Sequence, residues 1–232
     1  MGQQPQIYGI DIETDTRYDG LDPAVAAVRT VALSNQDFDE VFVGDEATLL
    51  ATLDRRLAEL PPGVLATWNG ATFDLPFIAD RARLLDLDLG LTLCLDRRLT
   101  LGRTPLPGHA GAYRGAWGHH GHLDTFRLYG GTSAPGRMSL RALGRIVGLG
   151  THAGSAPRGS DQANEALHAH AASDARLARV LAERRWNAAL RLVDRVEPDE
   201  AQPVSVAARR LERQARIDGY QGTRPLRPAL LS

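Results

Sequence analysis

Residues 7–14, Ile7-Tyr8-Gly9-Ile10-Asp11-Ile12-Glu13-Thr14, decide the fold class. Apolar side chains alternate with small or acidic ones, which is the pattern of a strand laid against a core. Side chains two apart on a strand share a face, so Asp11 and Glu13 point the same way. Two carboxylates side by side at the edge of a core repel each other and favour a shared cation.

Two further acids lie in apolar frames downstream. Asp74 closes Trp68-Asn69-Gly70-Ala71-Thr72-Phe73-Asp74, and Asp174 closes His170-Ala171-Ala172-Ser173-Asp174. At helical spacing His170 and Asp174 share a face. Taken together, Asp11, Glu13, Asp74 and Asp174 make an oxygen-rich set for two divalent ions, the arrangement that activates water and stabilises a leaving oxygen in phosphoryl transfer. Hard oxygen donors favour Mg²⁺ or Mn²⁺ over Zn²⁺. Because imidazole titrates near neutrality, His170 is suited to orient or deprotonate a water. Each feature alone is commonplace: Asp-x-Glu as a solvated strand end, Asn-Gly as a turn, His170 and Asp174 as a surface pair. Their conjunction, in apolar frames and in this order, is what points to a site.

The surrounding pattern predicts strands over Val28 to Ser34, Asp39 to Val43, Val64 to Trp68 and Leu89 to Leu95. The strand at 28–43 is expected to pair antiparallel with the first. Leu49, Leu50, Leu53, Leu57 and Leu60 recur at helical spacing before Pro61-Pro62-Gly63 stops the helix. Pro76 suits the first turn of a helix from Asp74 to about Leu85. Residues 102–121, rich in Gly, Pro and His, read as a long exposed loop, and a helix is expected from Asp124 onward. Ser139 is the expected N-cap of a helix ended by Gly148 and Gly150. Residues 151–160 read as a loop of small residues, followed by a long helical stretch from Asn164 to Leu192. Strands and helices in this order give an α/β fold, a mixed sheet flanked by helices.

The conjunction of acidic motifs resembles the DEDD superfamily of 3′–5′ exonucleases, and within it the proofreading exonuclease domain of family B DNA polymerases and its stand-alone relatives. Asp11-Ile12-Glu13-Thr14 resembles the first motif, and Asn69-x-x-x-Phe73-Asp74 the second. Leu123-Asp124-Thr125-Phe126-Arg127 and Ser139-Leu140-Arg141-Ala142-Leu143 are similar to connecting segments. The third motif departs: His170 stands four before Asp174, the spacing of the tyrosine branch with the residue of the histidine branch. The resemblance implies a ribonuclease-H-like fold over residues 6–182 and cleavage of single-stranded DNA or RNA from the 3′ end. It further implies that Asn69 and Phe73 shape the site around the terminal nucleotide and that Thr14 lies near its 3′ end. The alternative in the same fold is a catalytically weakened module that binds single strands.

Composition sets bounds on these readings. The 232 residues suit one domain, expected over 1–195, with an Arg-rich tail or appended helix over 196–232. That tail is a possible protein contact, and a structural or assembly role carried by it is a third reading. The formal net charge of −1 gives no global positive field, so nucleic acid must be held by local patches and bound metal. All 27 basic residues are arginine. The single Cys94 fits a reducing, cytoplasmic compartment, and no apolar stretch approaches a membrane span. His119-His120-Gly121-His122 reads as a surface loop rather than a zinc site. Tyr113, Arg114, Trp117 and Arg127 are candidates to stack on or clamp a strand.

Overall fold

The computed structural model describes residues 5–17, 19–99, 101–129, 139–148 and 160–196. Its centre is β1 (Gln6–Thr14), and the two faces of that strand have different neighbours. Tyr8, Ile10 and Ile12 are buried against Leu49, Leu50, Leu53 and Leu57 of α1 (Glu46–Glu59) and Phe77 and Ile78 of α2 (Asp74–Leu84). The opposite face, which carries Gly9, is covered by α5 (Ser160–Arg184). Period-two alternation thus divides one strand between a leucine-rich core and the helix that carries His170 and Asp174.

Around β1 the sheet has seven strands in the order β3-β2-β1-β4-β7-β6-β5. Strands β2 (Val28–Ser34) and β3 (Asp39–Val43) extend it antiparallel on one side. On the other side β4 (Gly63–Thr67) and β7 (His120–Asp124) run parallel to β1. Antiparallel strands β6 (Ala112–Trp117) and β5 (Leu91–Asp96) complete it. This is the ribonuclease-H-like α/β arrangement expected from the sequence. Clefts in such sheets open at the carboxyl ends of the parallel strands. Here Asp11 and Glu13 of β1, the turn after β4 and Asp124 of β7 all lie at that end.

Three expectations need correcting. Residues 102–121 are not one exposed loop. They include β6 and the start of β7, joined by a tight hairpin in which Gly118 takes φ +55. Gly and Pro enrichment hid the alternation of Tyr113, Gly115 and Trp117. Gly115 leaves the space that a Cβ would contest with Leu75, 2.7 Å away. The histidine cluster is correspondingly not a surface loop: His120 and His122 are 1% and 0% exposed, with His120 Nε2 bonded to the Leu57 carbonyl at 2.8 Å. Nor does helix begin at Asp124, which ends β7 in register with Thr67; α3 starts at Phe126 and runs to Tyr129.

Elsewhere the expected elements form. Ser139 caps α4 (Leu140–Ile146) by accepting the Ala142 N–H at 3.2 Å, and Gly148 follows it at φ +74. The long C-terminal helical stretch breaks at Arg185, and α6 (Trp186–Ala189) folds Trp186 onto Ile7, Val64 and Leu123. Among the described residues no helix is long and apolar enough to cross a membrane. Gly150, the small-residue loop at 151–159 and the Arg-rich segment beyond 196 lie outside the described residues.

Candidate active site

The first pair of acids projects beyond its parallel neighbour, because the last β1–β4 pair is Gly9 with Ala66. Helix α5 then closes over them. At Gly9 a Cβ would come within 1.8 Å of the Ala175 carbonyl oxygen, so only glycine admits the helix backbone this closely. Ala32, the β2 partner of Asp11, packs with Ala171 and Ala175. These small surfaces seat α5 with His170 against Glu13, Nδ1 to Oε1 at 2.5 Å, and His170 Nε2 is 3.7 Å from Asp174. Arg141 of α4 also contacts His170 Nε2.

The third acid arrives on a turn with its own supports. Asn69 takes φ +65, a left-handed conformation that Asn tolerates, and its carbonyl accepts the N–H groups of Thr72 and Phe73 at 3.0 Å. Gly70 is pressed so close to Thr67 that a Cβ would lie 2.2 Å from the Thr67 hydroxyl oxygen. Asp124 holds the turn from the side: its carboxylate accepts the N–H groups of Asn69 at 2.9 Å, Ala71 at 3.2 Å and Phe126 at 3.0 Å. Asp74 is therefore delivered as the first residue of α2, where the helix N-terminus favours an anion. Replacing Asp124 by Ala strands buried N–H groups. The expected loss is about 1–3 kcal/mol, read as a lower melting temperature, with a smaller loss for Asp124→Asn, which keeps one acceptor oxygen.

These elements enclose a cleft of about 460 Å³. Asp11, Glu13, Thr14, Asn69, Phe73, Asp74 and Asp174 all line it. His170 is not part of the lining and meets the cleft through Glu13. The Thr14 hydroxyl donates to the Gly20 carbonyl at 2.7 Å, pinning the loop that follows β1. Sequence reading missed several other walls: Leu21, Arg103, Leu140 and the aromatic pair Trp68–Phe126, whose rings meet edge to face at 5.4 Å. Tyr113, Arg114, Trp117 and Arg127, offered above as strand contacts, do not line this cleft. Tyr113 and Trp117 are buried in the core, and Arg127 is bound to Asp194 at 2.9 Å.

Electrostatics tie the acids together. Burial pushes Asp11 well above the usual carboxylate range, and the charges of Asp74, Asp174 and Glu13 push it further, with Arg103 opposing. Burial also raises Asp74, to about 7; hydrogen bonds from its own backbone and that of Ile12, and the charge of Arg103, partly offset this. Asp174 is raised by burial, against the pull of His170 and Arg141. His170 is raised in turn, chiefly by its hydrogen bond to Glu13. Among the described residues no three acidic, imidazole or thiol groups converge on one point as a ready-made metal cage. Mg²⁺ does not require one, because it keeps several waters and uses one or two carboxylates plus substrate phosphate oxygens. The donor set, all carboxylate and short of counter-charge, fits such ions.

The architecture that brings these acids together is found in a solved structure. The chain has the fold of part of a family B DNA polymerase. The polymerase, from the hyperthermophilic archaeon Pyrobaculum calidifontis, superposes with a TM-score of 0.61 at 17% sequence identity. The match covers 78% of this chain and 24% of the polymerase. No protein-family model matches the chain, and no curated protein is similar to it.

Proposed function

We propose that this protein is a metal-dependent 3′–5′ exonuclease, which hydrolyses phosphodiester bonds at single-stranded ends of DNA or RNA and releases nucleoside monophosphates. One observation carries the reading. Four acids from three separated stretches, two on β1, one at the start of α2 and one on α5, share a cleft in which Asp11 feels the other three. A cluster so poorly compensated is costly unless cations and a phosphate use it. The shared fold with a polymerase segment and the order of the acidic motifs support the same reading.

Asp11, Glu13, Asp74 and Asp174 would hold two Mg²⁺ or Mn²⁺ ions. When bound, such ions lower the pKa of water and offset charge on the reacting phosphate. His170 donates from Nδ1 to Glu13, and Nε2, on the side of Asp174, is the ring's acceptor and is contacted by Arg141. Once Arg141 gives up that contact, Nε2 holds a water or takes its proton, the role that the tyrosine branch gives to its phenol. Trp68, Phe73 and Phe126 offer apolar walls for the terminal bases. Asn69 and Thr14 edge the same cleft and are positioned to meet the terminal nucleotide.

The test is degradation of 5′-labelled single-stranded DNA and RNA oligonucleotides with Mn²⁺ and with EDTA. A metal-dependent ladder shortening from the 3′ end is expected, and the faster ladder names the substrate. Intact oligonucleotides under every condition, bound without cleavage, would replace the enzyme by a single-strand-binding module. In that assay His170→Ala is expected to lower kcat by about 10²-fold, the usual scale of a lost general base. His170→Tyr should recover part of it if the side chain positions water as the tyrosine branch does.

A further inference from the structure

The segment between β5 and β6 is anchored more firmly than a connection needs to be. Leu106 is 3% exposed and belongs to the main core. His109 is clamped between two partners, Nε2 to Asp80 of α2 at 2.9 Å and Nδ1 to the Tyr113 hydroxyl of β6 at 2.7 Å. Both members of the His109–Asp80 pair are almost wholly buried, with side chains 1% and 5% exposed. Gly102 is packed so tightly that a Cβ would lie 1.6 Å from Asn69 Oδ1 and 2.8 Å from the Phe126 ring. The core, α2, β6, the turn after β4 and α3 together fix this arm against the wall of the cleft.

What the arm presents is Arg103. Its side chain is exposed, lines the cleft, and lies over the Phe73 ring at 4.4 Å from the centroid. Among the described residues it has no hydrogen bond and no ion pair. The five N–H donors of its guanidinium are held by stacking alone at the edge of an acid cluster. Arginine kept this way, rather than spent on a neighbouring carboxylate, is arranged for an anionic partner that presents two oxygens to its planar fork, as a phosphate does.

We propose that Arg103 is a further catalytic residue, a clamp whose guanidinium binds the non-bridging oxygens of the phosphate presented to Asp11 and Asp74. The inference rests on the nuclease reading of the cleft and assigns it one more ligand group, the phosphate of the terminal nucleotide. Stacking on Phe73 fixes the plane of the fork. The Asp80–His109–Tyr113 chain fixes the arm, so the donors need little reorganisation when the phosphate arrives. Asp80, His109 and Tyr113 are positioning residues in this scheme, since they act through the arm.

Arg103→Ala and Arg103→Lys separate the clamp from simple charge balance. With single-stranded oligonucleotide and Mn²⁺, Arg103→Ala is expected to lower kcat by about 10²-fold with a smaller change in KM, and Lys to recover only part, lacking the planar fork. Calorimetric titration with Mn²⁺ alone should give equal or tighter binding to Arg103→Ala, because a positive charge has left the acid cluster. Titration with a nucleoside 5′-monophosphate in the presence of Mn²⁺ should give binding to wild type that weakens at least tenfold in the variant. Unchanged kcat/KM in Arg103→Ala overturns the clamp and leaves the nuclease standing. Loss of Mn²⁺ binding together with activity also overturns it, because Arg103 would then be ordering the carboxylates. If wild type cleaves nothing, the nuclease reading fails first and the monophosphate titration still decides: weaker binding to the variant supports the clamp, and equal binding or none ends it.

Discussion

Asp11→Asn is expected to abolish cleavage and, in EDTA, to raise the melting temperature. The two effects have one cause. Asp11 is pushed up by burial and by three neighbouring carboxylates, so its charge costs the fold energy. Asn keeps the shape and removes that charge, and each kcal/mol of relief moves the midpoint by about 2–4 °C in a chain of this size. The same substitution removes a ligand from the proposed metal site, for which a fall of about 10³-fold or more is expected. A variant that is more stable yet inactive identifies a site that trades stability for function. Undiminished cleavage by Asp11→Asn would sink the assignment of the acids.

The pH dependence of the metal-free protein follows from the same charges. Asp74 has a folded pKa of about 7, above the ordinary carboxylate value of about 4 that it takes when unfolded. A carboxyl raised by folding adds stability that is full below its unfolded pKa and is lost as pH rises through the folded one. Melting temperature in EDTA should therefore fall as pH rises from about 4 to about 7. Mn²⁺ should restore it at neutral pH, and Asp74→Asn should flatten the slope. A flat profile for wild type in EDTA would mean that burial does not hold Asp74 above the ordinary carboxylate range.

Residues 7–14 were legible because every side chain in them has a use. Tyr8, Ile10 and Ile12 feed the core and the odd-numbered positions face α5, so alternation alone gave both the strand and the shared face of Asp11 and Glu13. The turn at Asn69-Gly70 was equally plain, since few residues tolerate its backbone. Arg103 was not legible: it is one of 27 arginines, and its neighbours Gly102 and Thr104 read as loop. Its place in the cleft comes from Leu106 and His109 reaching partners remote in sequence. The β6–β7 hairpin was hidden for a related reason. Its glycines mark where Leu75 and the Asp194 backbone press against the sheet, and a sequence displays only the missing side chain, not what occupies the space. Asp124 looked like a helix start because capping and turn-bracing use the same residue type.

Gly9→Ala is the substitution with the largest expected effect outside the acids. A methyl group at Gly9 would lie 1.8 Å from the Ala175 carbonyl oxygen, 2.7 Å from its carbon and 3.1 Å from the Arg179 Cβ. The obstacle is helix backbone, so no rotamer change relieves it and α5 as a unit must move outward. Overpacking of this kind costs about 1–3 kcal/mol, occasionally more. The functional cost should exceed the structural one. Displacing α5 carries His170 and Asp174 away from Glu13 and Asp11, and a shift of about 1 Å in reacting groups is worth about 10²-fold in rate. Gly121→Ala is the control: its Cβ would crowd the Asp194 carbonyl oxygen and Val193 Cγ1 at 2.9 Å, on residues that do not line the cleft. Both variants should melt lower than wild type, but only Gly9→Ala should lose cleavage per folded molecule when the folded fraction is measured by circular dichroism at the assay temperature. Equal specific activity in the two would mean that α5 does not deliver Asp174, and the catalytic set would have to be rebuilt from β1 and α2 alone.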